Sequence, residues 1–252
     1  MDVEIIAHRG SSFLAPENTL ASAHVAWQEG ADAVEGDFRL TKDGHLVCIH
    51  DESLKRTAGI DRLVADCSLN ELRTYDVGRW KGEQFAGQSI CTLEEILATV
   101  PAGKRFFVEL KSYWQEILDP LHRAVEASSL DPEQIVLICL DLATITAAKR
   151  AIPECPTYWV VQAKRGSLTD PVRHWPVVDE LLSVKNVGID GLDLESIRPI
   201  DSTTVGALKN AGLKLAVWTV DDPAMARWWI DLGVRSITTN RPGWLRNQLQ
   251  PA

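Results

Sequence analysis

Between Glu4 and Leu40 the sequence reads EIIAHRGSSFLAPENTLASAHVAWQEGADAVEGDFRL, and two periodicities alternate along it. The apolar run from Val3 to Ala7 is short and partly β-branched, as a buried strand requires. Leu20, Ala23, Ala26 and Trp27 then fall at helical spacing, and Gly30 supplies a stop. A second apolar run, Ala33 to Phe38, follows at once. Strand, helix and strand in this order form the unit from which α/β folds are assembled.

The same alternation continues to the C-terminus. Further strand-like runs occur at Arg105 to Leu110, Ile135 to Leu140, Tyr158 to Gln162, Gly188 to Leu192, Lys214 to Val220 and Ser236 to Thr239, which makes eight. Helical patterns separate them, among them STTVGALKNAGLK, opened by Ser202 as a cap and closed by Gly212. Eight strand-helix repeats in 252 residues favour an α/β TIM (β/α)8 barrel over an open doubly wound sheet. No GxGxxG or Walker-type loop follows any strand, which lowers the case for nucleotide binding.

One interval breaks the rhythm: strand two ends near Leu40 and strand three begins only near Arg105. The expectation is a single domain over 1–252 carrying a small insertion after strand two, a hairpin and cap segment at 41–92. It contains DGHLVCIHDESLKRT, in which Asp43-Gly44 signals a turn before a short extended run ending at His50-Asp51. DVGRWKGEQFAGQSICTLEEIL follows, with a helix expected from about Thr92. Such excursions at the C-terminal face of a barrel usually cover its active site.

A net charge of −9 argues against a nucleic-acid surface, although a local site can oppose the global sign. No apolar run approaches the length needed to cross a bilayer, so no stable membrane insertion is expected. Cys48, Cys67, Cys91, Cys139 and Cys155 include no CxxC pair and read as reduced packing residues. The N-terminal segment lacks a basic leader, which points to a cytoplasmic protein or to a mature form whose signal has been removed.

Side chains on a strand alternate with a period of two, so Glu35 and Asp37 face one side, as do Glu109 and Lys111. Three carboxylates aimed into a barrel are costly unless compensated. Ion pairs with Arg9, Arg39 or Lys111 are one solution, and a shared divalent cation is the other. An all-oxygen set suits Mg²⁺ or Ca²⁺ and fits zinc or copper poorly. Arg9 and Lys111 beside a cation would together hold a phosphate. His8, at the end of strand one, and His50, at the end of the inserted hairpin, can serve as general acid and base near neutral pH. Trp218, in LAVWTV, is expected to point inward from strand seven and to wall a pocket.

Taken in order, HRG with APENT, E-x-D, DG…HD, ELK, VWTV and a closing TTNRP resemble the glycerophosphodiester phosphodiesterase family over essentially the whole chain, from His8 to Pro242. GRWKGEQFAGQSICTLEEIL looks like the family's G-x-W…F-x-G…P-T-L-E-E passage, with Cys91 where the family usually has proline. The resemblance implies a TIM barrel with an insertion after strand two. It also implies a metal held by Glu35, Asp37 and Glu109, an acid-base pair in His8 and His50, and phosphate contacts from Arg9 and Lys111. The implied reaction cleaves a small-molecule glycerophosphodiester to an alcohol and glycerol 3-phosphate. Sphingomyelinase D-like and lysophospholipase D-like enzymes share this plan and remain alternatives, as does a noncatalytic barrel that binds phosphorylated ligands. Asn240 stands where the family usually has an acid, which would remove a negative charge behind the site. Pro16 and Asn18 are expected to launch helix one as loop and cap, with Glu17 and Asn18 lining the mouth.

Overall fold

A computed structural model describes residues 3–111, 115–165, 173–197 and 200–250. Its strands are β1 (Glu4–Ala7), β2 (Ala33–Leu40), β3 (Arg105–Leu110), β4 (Ile135–Cys139), β5 (Thr157–Val161), β6 (Gly191–Glu195), β7 (Lys214–Trp218) and β8 (Ser236–Thr239). Each pairs in parallel with the next, and β1 pairs with both β2 and β8, so the sheet closes. Register at the closure is Ala7 opposite Thr239 and Ile6 opposite Ala33. The TIM barrel read from the sequence is therefore the fold. Strand six departs from its expected bounds by three residues at each end. Gly188, at φ +83°, ends a 3-10 turn there, so Ile189 and Asp190 lead into the strand rather than belong to it.

The helices that pack around the barrel are α1 (Leu20–Gln28), α2 (Leu93–Leu97), α3 (Leu118–Ala127), α4 (Leu142–Ala151), α5 (Val178–Ser183), α6 (Ser202–Asn210), α7 (Pro223–Asp231) and α8 (Pro242–Leu249), and two single-turn helices, Lys55–Ala58 and Leu69–Leu72, lie in the segment after β2. They bury a continuous apolar layer against the outside of the strands, containing Val34, Phe38, Phe106, Leu137, Leu192, Val217 and Trp229. A separate cluster fills the barrel: Ile6, Ala33, Phe107, Val136, Ile138, Tyr158, Val160 and Ala216, with Trp218 packed on it. Burying each of the larger side chains contributes about 1.5–3 kcal/mol, so the interior is a packed plug beneath the mouth rather than a channel.

The chain from 41 to 92 leaves the barrel rhythm as the spacing indicates. A short strand, Leu46–Cys48, runs antiparallel to β2 with Phe38 opposite Cys48 and Leu40 opposite Leu46. The segment has its own small core of Val47, Ile49, Leu54, Val64, Cys67, Leu69, Leu72 and Ile90. It rejoins the barrel at α2, where the Thr92 hydroxyl accepts from the backbone N–H of Glu95 and the Glu95 carboxylate accepts from the backbone N–H of Thr92.

Two caps differ from expectation. Thr19, not Asn18, caps α1, with its hydroxyl accepting from the Ser22 N–H, and Asp201, not Ser202, caps α6. Asn18 is displaced from capping because its backbone is left-handed (φ +57°) and its side chain is turned toward β2. All five cysteines are buried free thiols, in keeping with a packing role. Among the described residues no helix is long and apolar enough to cross a membrane.

Candidate active site

The site begins with the pleat of β2 and β3. Asp37 lies opposite Glu109 in register, and Glu35 is one pleat deeper on the same face of β2. The three carboxyls each offer an oxygen within 4.8 Å of the others. Asp37 is completely buried, and Glu35 and Glu109 are 3% and 9% exposed.

Both cations named from the sequence reach this cluster. Arg9 places Nε 3.1 Å from Asp37 Oδ2, and its backbone N–H donates to Glu35 Oε2 at 2.9 Å. Lys111 Nζ lies 2.6 Å from Glu109 and 3.1 Å from Asp37 Oδ1. Asn18 completes the frame: its Nδ2 donates to Asp37 Oδ2 at 2.8 Å, and its Oδ1 accepts from the Asp37 N–H at 3.1 Å. Arg9 adopts φ +55°, which costs about 1–2 kcal/mol outside glycine. Next to it, Gly10 (φ +78°) has no room for a side chain, because a Cβ would stand 2.4 Å from Ser22 Oγ.

Electrostatics separates the three acids. Burial opposes the charge of Asp37, but Lys111, Arg9 and His50 outweigh it and hold its carboxyl well below the usual range. Burial, reinforced by Asp37 and then Glu109, pushes Glu35 well above that range, and burial with Asp37 pushes Glu109 up to about 7. The ion-pair explanation thus accounts for Asp37 and leaves Glu35 uncompensated: its Oε1 is buried with no hydrogen-bond partner. With Glu35 and Glu109 both pushed up, Arg9 and Lys111 do not compensate all three carboxyls. An orphaned buried oxygen within a close set of carboxylate donors fits a hard divalent cation.

His8 ends β1 with Nδ1 2.8 Å from Asn240 Oδ1. The amide oxygen only accepts, so Nδ1 carries the proton and Nε2 keeps its lone pair. Asp221 fixes the amide by accepting from Asn240 Nδ2 at 2.6 Å and from its backbone N–H at 2.8 Å. The negative charge that Asn240 seemed to remove is thus supplied by Asp221, one residue further back. Burial first, and then Arg9, pushes the His8 imidazole down to about 4.

His50 has a different setting. Its Nδ1 lies 2.7 Å from Asp51 Oδ1, and the Arg39 Nε donates to its carbonyl at 2.8 Å. Asp51 in turn accepts from Arg56 Nε at 2.7 Å, and Arg56 donates to both oxygens of Glu17 at 2.8 and 2.9 Å. Glu17 then accepts from Arg9 at 2.8 Å. The hydrogen bonds of Arg56 lead the causes that hold the Asp51 carboxyl down at about 2. A chain of alternating charges therefore ties the inserted segment to the barrel cation.

Every site residue named from the sequence sits at this end of the barrel. Trp218 packs on the interior cluster and donates from Nε1 to the Asp193 carbonyl at 3.1 Å. Asp221 and Arg56 were missed. Asp221 is followed by Asp222 and Pro223, a helix-start signature that Asp222 does fulfil by capping α7, and nothing local marks its neighbour as a partner of Asn240. β6 adds one more interior carboxyl, Asp193, 4% exposed and pushed well above the usual range by burial and then by Glu109.

Comparison with known proteins gives a consistent picture. The profile of the glycerophosphoryl diester phosphodiesterase family matches residues 8–244. The chain is 33% identical to a glycerophosphodiester phosphodiesterase from Caldanaerobacter subterraneus subsp. tengcongensis, with 98% of each chain covered. A glycerophosphodiester phosphodiesterase from Bacillus subtilis is 28% identical, with 94% of this chain and 83% of the relative covered. Among solved structures, an Oleispira antarctica phosphodiesterase in complex with the product sn-glycerol-3-phosphate superposes with a TM-score of 0.86 at 28% identity, covering 98% of this chain and 96% of that one.

Proposed function

The chain belongs to the glycerophosphoryl diester phosphodiesterase family, and from that premise we propose that it hydrolyses small glycerophosphodiesters to an alcohol and glycerol 3-phosphate with the aid of a divalent cation. The observation that carries this reading is the meeting of the Glu35, Asp37 and Glu109 carboxyls with Arg9 and Lys111 at one barrel mouth. Mg²⁺ or Ca²⁺, held by those three carboxylates, would supply positive charge to the nonbridging phosphate oxygens, where charge builds as the diester is cleaved. Arg9 and Lys111 add fixed donors on the same side.

The two histidines divide the proton work. His8 is the base: its neutral imidazole, with Nδ1–H given to Asn240, leaves Nε2 free to take the proton of the attacking hydroxyl, either from water directly or from the neighbouring glycerol carbon, in which case a cyclic phosphate forms and water then opens it to glycerol 3-phosphate. His50 is the acid: Asp51 orients its ring through Nδ1, and when the ring is protonated Nε2–H is given to the departing alcohol as the P–O bond breaks. Trp218 offers an apolar wall to the carbon skeleton. We also read residues 41–92 as a cap whose function is to deliver His50 to the barrel mouth.

A substrate panel tests the reaction. Glycerophosphocholine and glycerophosphoethanolamine are expected to release glycerol 3-phosphate in equal amount to choline or ethanolamine. Release of phosphocholine and glycerol would mean that the other P–O bond is cut. Turnover of lysophosphatidylcholine or sphingomyelin alone would replace this reading with the lipid-active one, and turnover of none with the binding-only one.

A further inference from the structure

A cavity of about 730 Å³ lies at the opposite end of the barrel, where the strands begin. Its walls carry Lys104, Arg105, Lys209, Lys214, Arg235 and Arg246 against only Glu4 and Asp32, in a chain whose net charge is −9. Stability explains part of this. Arg105 makes a bidentate pair with Glu4, which also accepts from Ser236 Oγ, so β1, β3 and β8 are joined. Lys104 and Arg246 both pair with Asp32, and Arg235 donates to the carbonyls of Ile230 and Val234 at the end of α7.

Lys209 on α6 and Lys214 at the start of β7 have no such role. Both are exposed, line the same cavity, and have no carboxylate or other hydrogen-bonding partner among the described residues. The ammonium of Lys209 lies across Gly233, where a Cβ would stand 2.3 Å from Nζ, so it reaches over the cavity edge. Apolar atoms of Tyr158, Leu213 and Leu215 supply the remaining wall. The volume falls in the range of small-molecule sites, roughly 300–1,000 Å³. Like charges gathered without counterions raise the energy of the folded state, and an anion that bridges them lowers it.

We propose that this cavity is a second binding site, separate from the catalytic mouth, for a small polyanion carrying a di- or triphosphate group, held by Lys209 and Lys214 with Arg105 and Lys104 behind them. A single phosphate spans too few of these cations to bind well. The proposal does not depend on the reaction assigned above. It is tested by titration calorimetry on the full chain in chelator, with tripolyphosphate, ATP and orthophosphate as probes. Tripolyphosphate is expected to bind saturably and orthophosphate at least about tenfold more weakly, with added salt weakening both. Tighter binding of ATP than of tripolyphosphate would assign the apolar wall to a nucleoside, and equal binding would assign the site to the phosphates alone. The double variant K209E/K214E, at two exposed positions, is expected to lose about tenfold or more in tripolyphosphate affinity while keeping its diester hydrolysis. Lys111→Ala is expected to leave tripolyphosphate affinity within about threefold. Loss of binding in Lys111→Ala with none in K209E/K214E would place the anion at the catalytic mouth and overturn the proposal, as would absence of saturable tripolyphosphate binding at millimolar concentration.

Discussion

Replacing Asp221 by alanine tests how His8 is held ready. Asp221 touches neither histidine; it accepts from Asn240 Nδ2 at 2.6 Å and so keeps the amide oxygen facing His8 Nδ1. Ser12 Oγ also contacts Asn240 Oδ1, but a hydroxyl both donates and accepts and therefore does not select the amide orientation. Without Asp221 the amide is free to turn its NH₂ toward His8, which favours the tautomer with the proton on Nε2 and removes the base. The orientation lost is that of one charge-assisted hydrogen bond, about 1.5–3 kcal/mol. At about 1.4 kcal/mol per factor of ten, kcat is expected to fall roughly ten- to a hundredfold, with little change in KM. Asp221→Asn retains an acceptor oxygen and should fall between the two. The assay is glycerol 3-phosphate release from glycerophosphocholine, coupled to a dehydrogenase, and the ¹⁵N shifts of His8 report the tautomer independently. A kcat within about threefold of wild type in Asp221→Ala, or an unchanged tautomer, would refute the relay.

Arg56→Ala cuts the links from Asp51 to Glu17; because Arg56 is half-exposed the expected loss is about 1 kcal/mol, or about fivefold in kcat, recovered by added guanidinium in kinetic assays. Gly10→Ala forces a Cβ against Ser22 at a left-handed position and is expected to destabilise the fold by about 2–4 kcal/mol in urea titrations. Asp76 accepts from the backbone N–H groups of Gly87, Gly78 and Arg79, which bring its carboxyl from 3.8 down to about 2. Its contribution to loop order is therefore complete above pH 4 and lost as pH falls toward 2, so protection of those three amides, relative to their intrinsic exchange at each pH, should fall across that window in the wild type and not in Asp76→Asn.

The fold is legible because eight strand-helix repeats leave few closed solutions, and the two-residue strand period alone aims Glu35, Asp37 and Glu109 into the barrel. Strand six slipped because an αL glycine and two turn residues share the apolarity of the strand they precede. The cap of α1 was misplaced by one residue, since asparagine and threonine both cap well and only the tertiary demand of Asp37 takes Asn18 away. Asp221 was invisible for a deeper reason. Its partner lies 19 residues away, just past the end of β8, and such links carry no periodicity for a sequence to display. The residues proposed to hold the phosphate are readable from strand ends, whereas those that orient them are set by barrel closure.

The proposal at the heart of the mechanism is a divalent cation, held by the carboxylate cluster, on which diester cleavage depends. It is tested most directly by measuring glycerol 3-phosphate release from glycerophosphocholine before chelation, after exhaustive chelation, and after return of Mg²⁺ or Ca²⁺, in wild type and in Glu35→Gln. Release is expected to vanish on chelation, to return with the cation in wild type, and to remain lost in Glu35→Gln. Undiminished release after full metal removal would show that cleavage needs no cation.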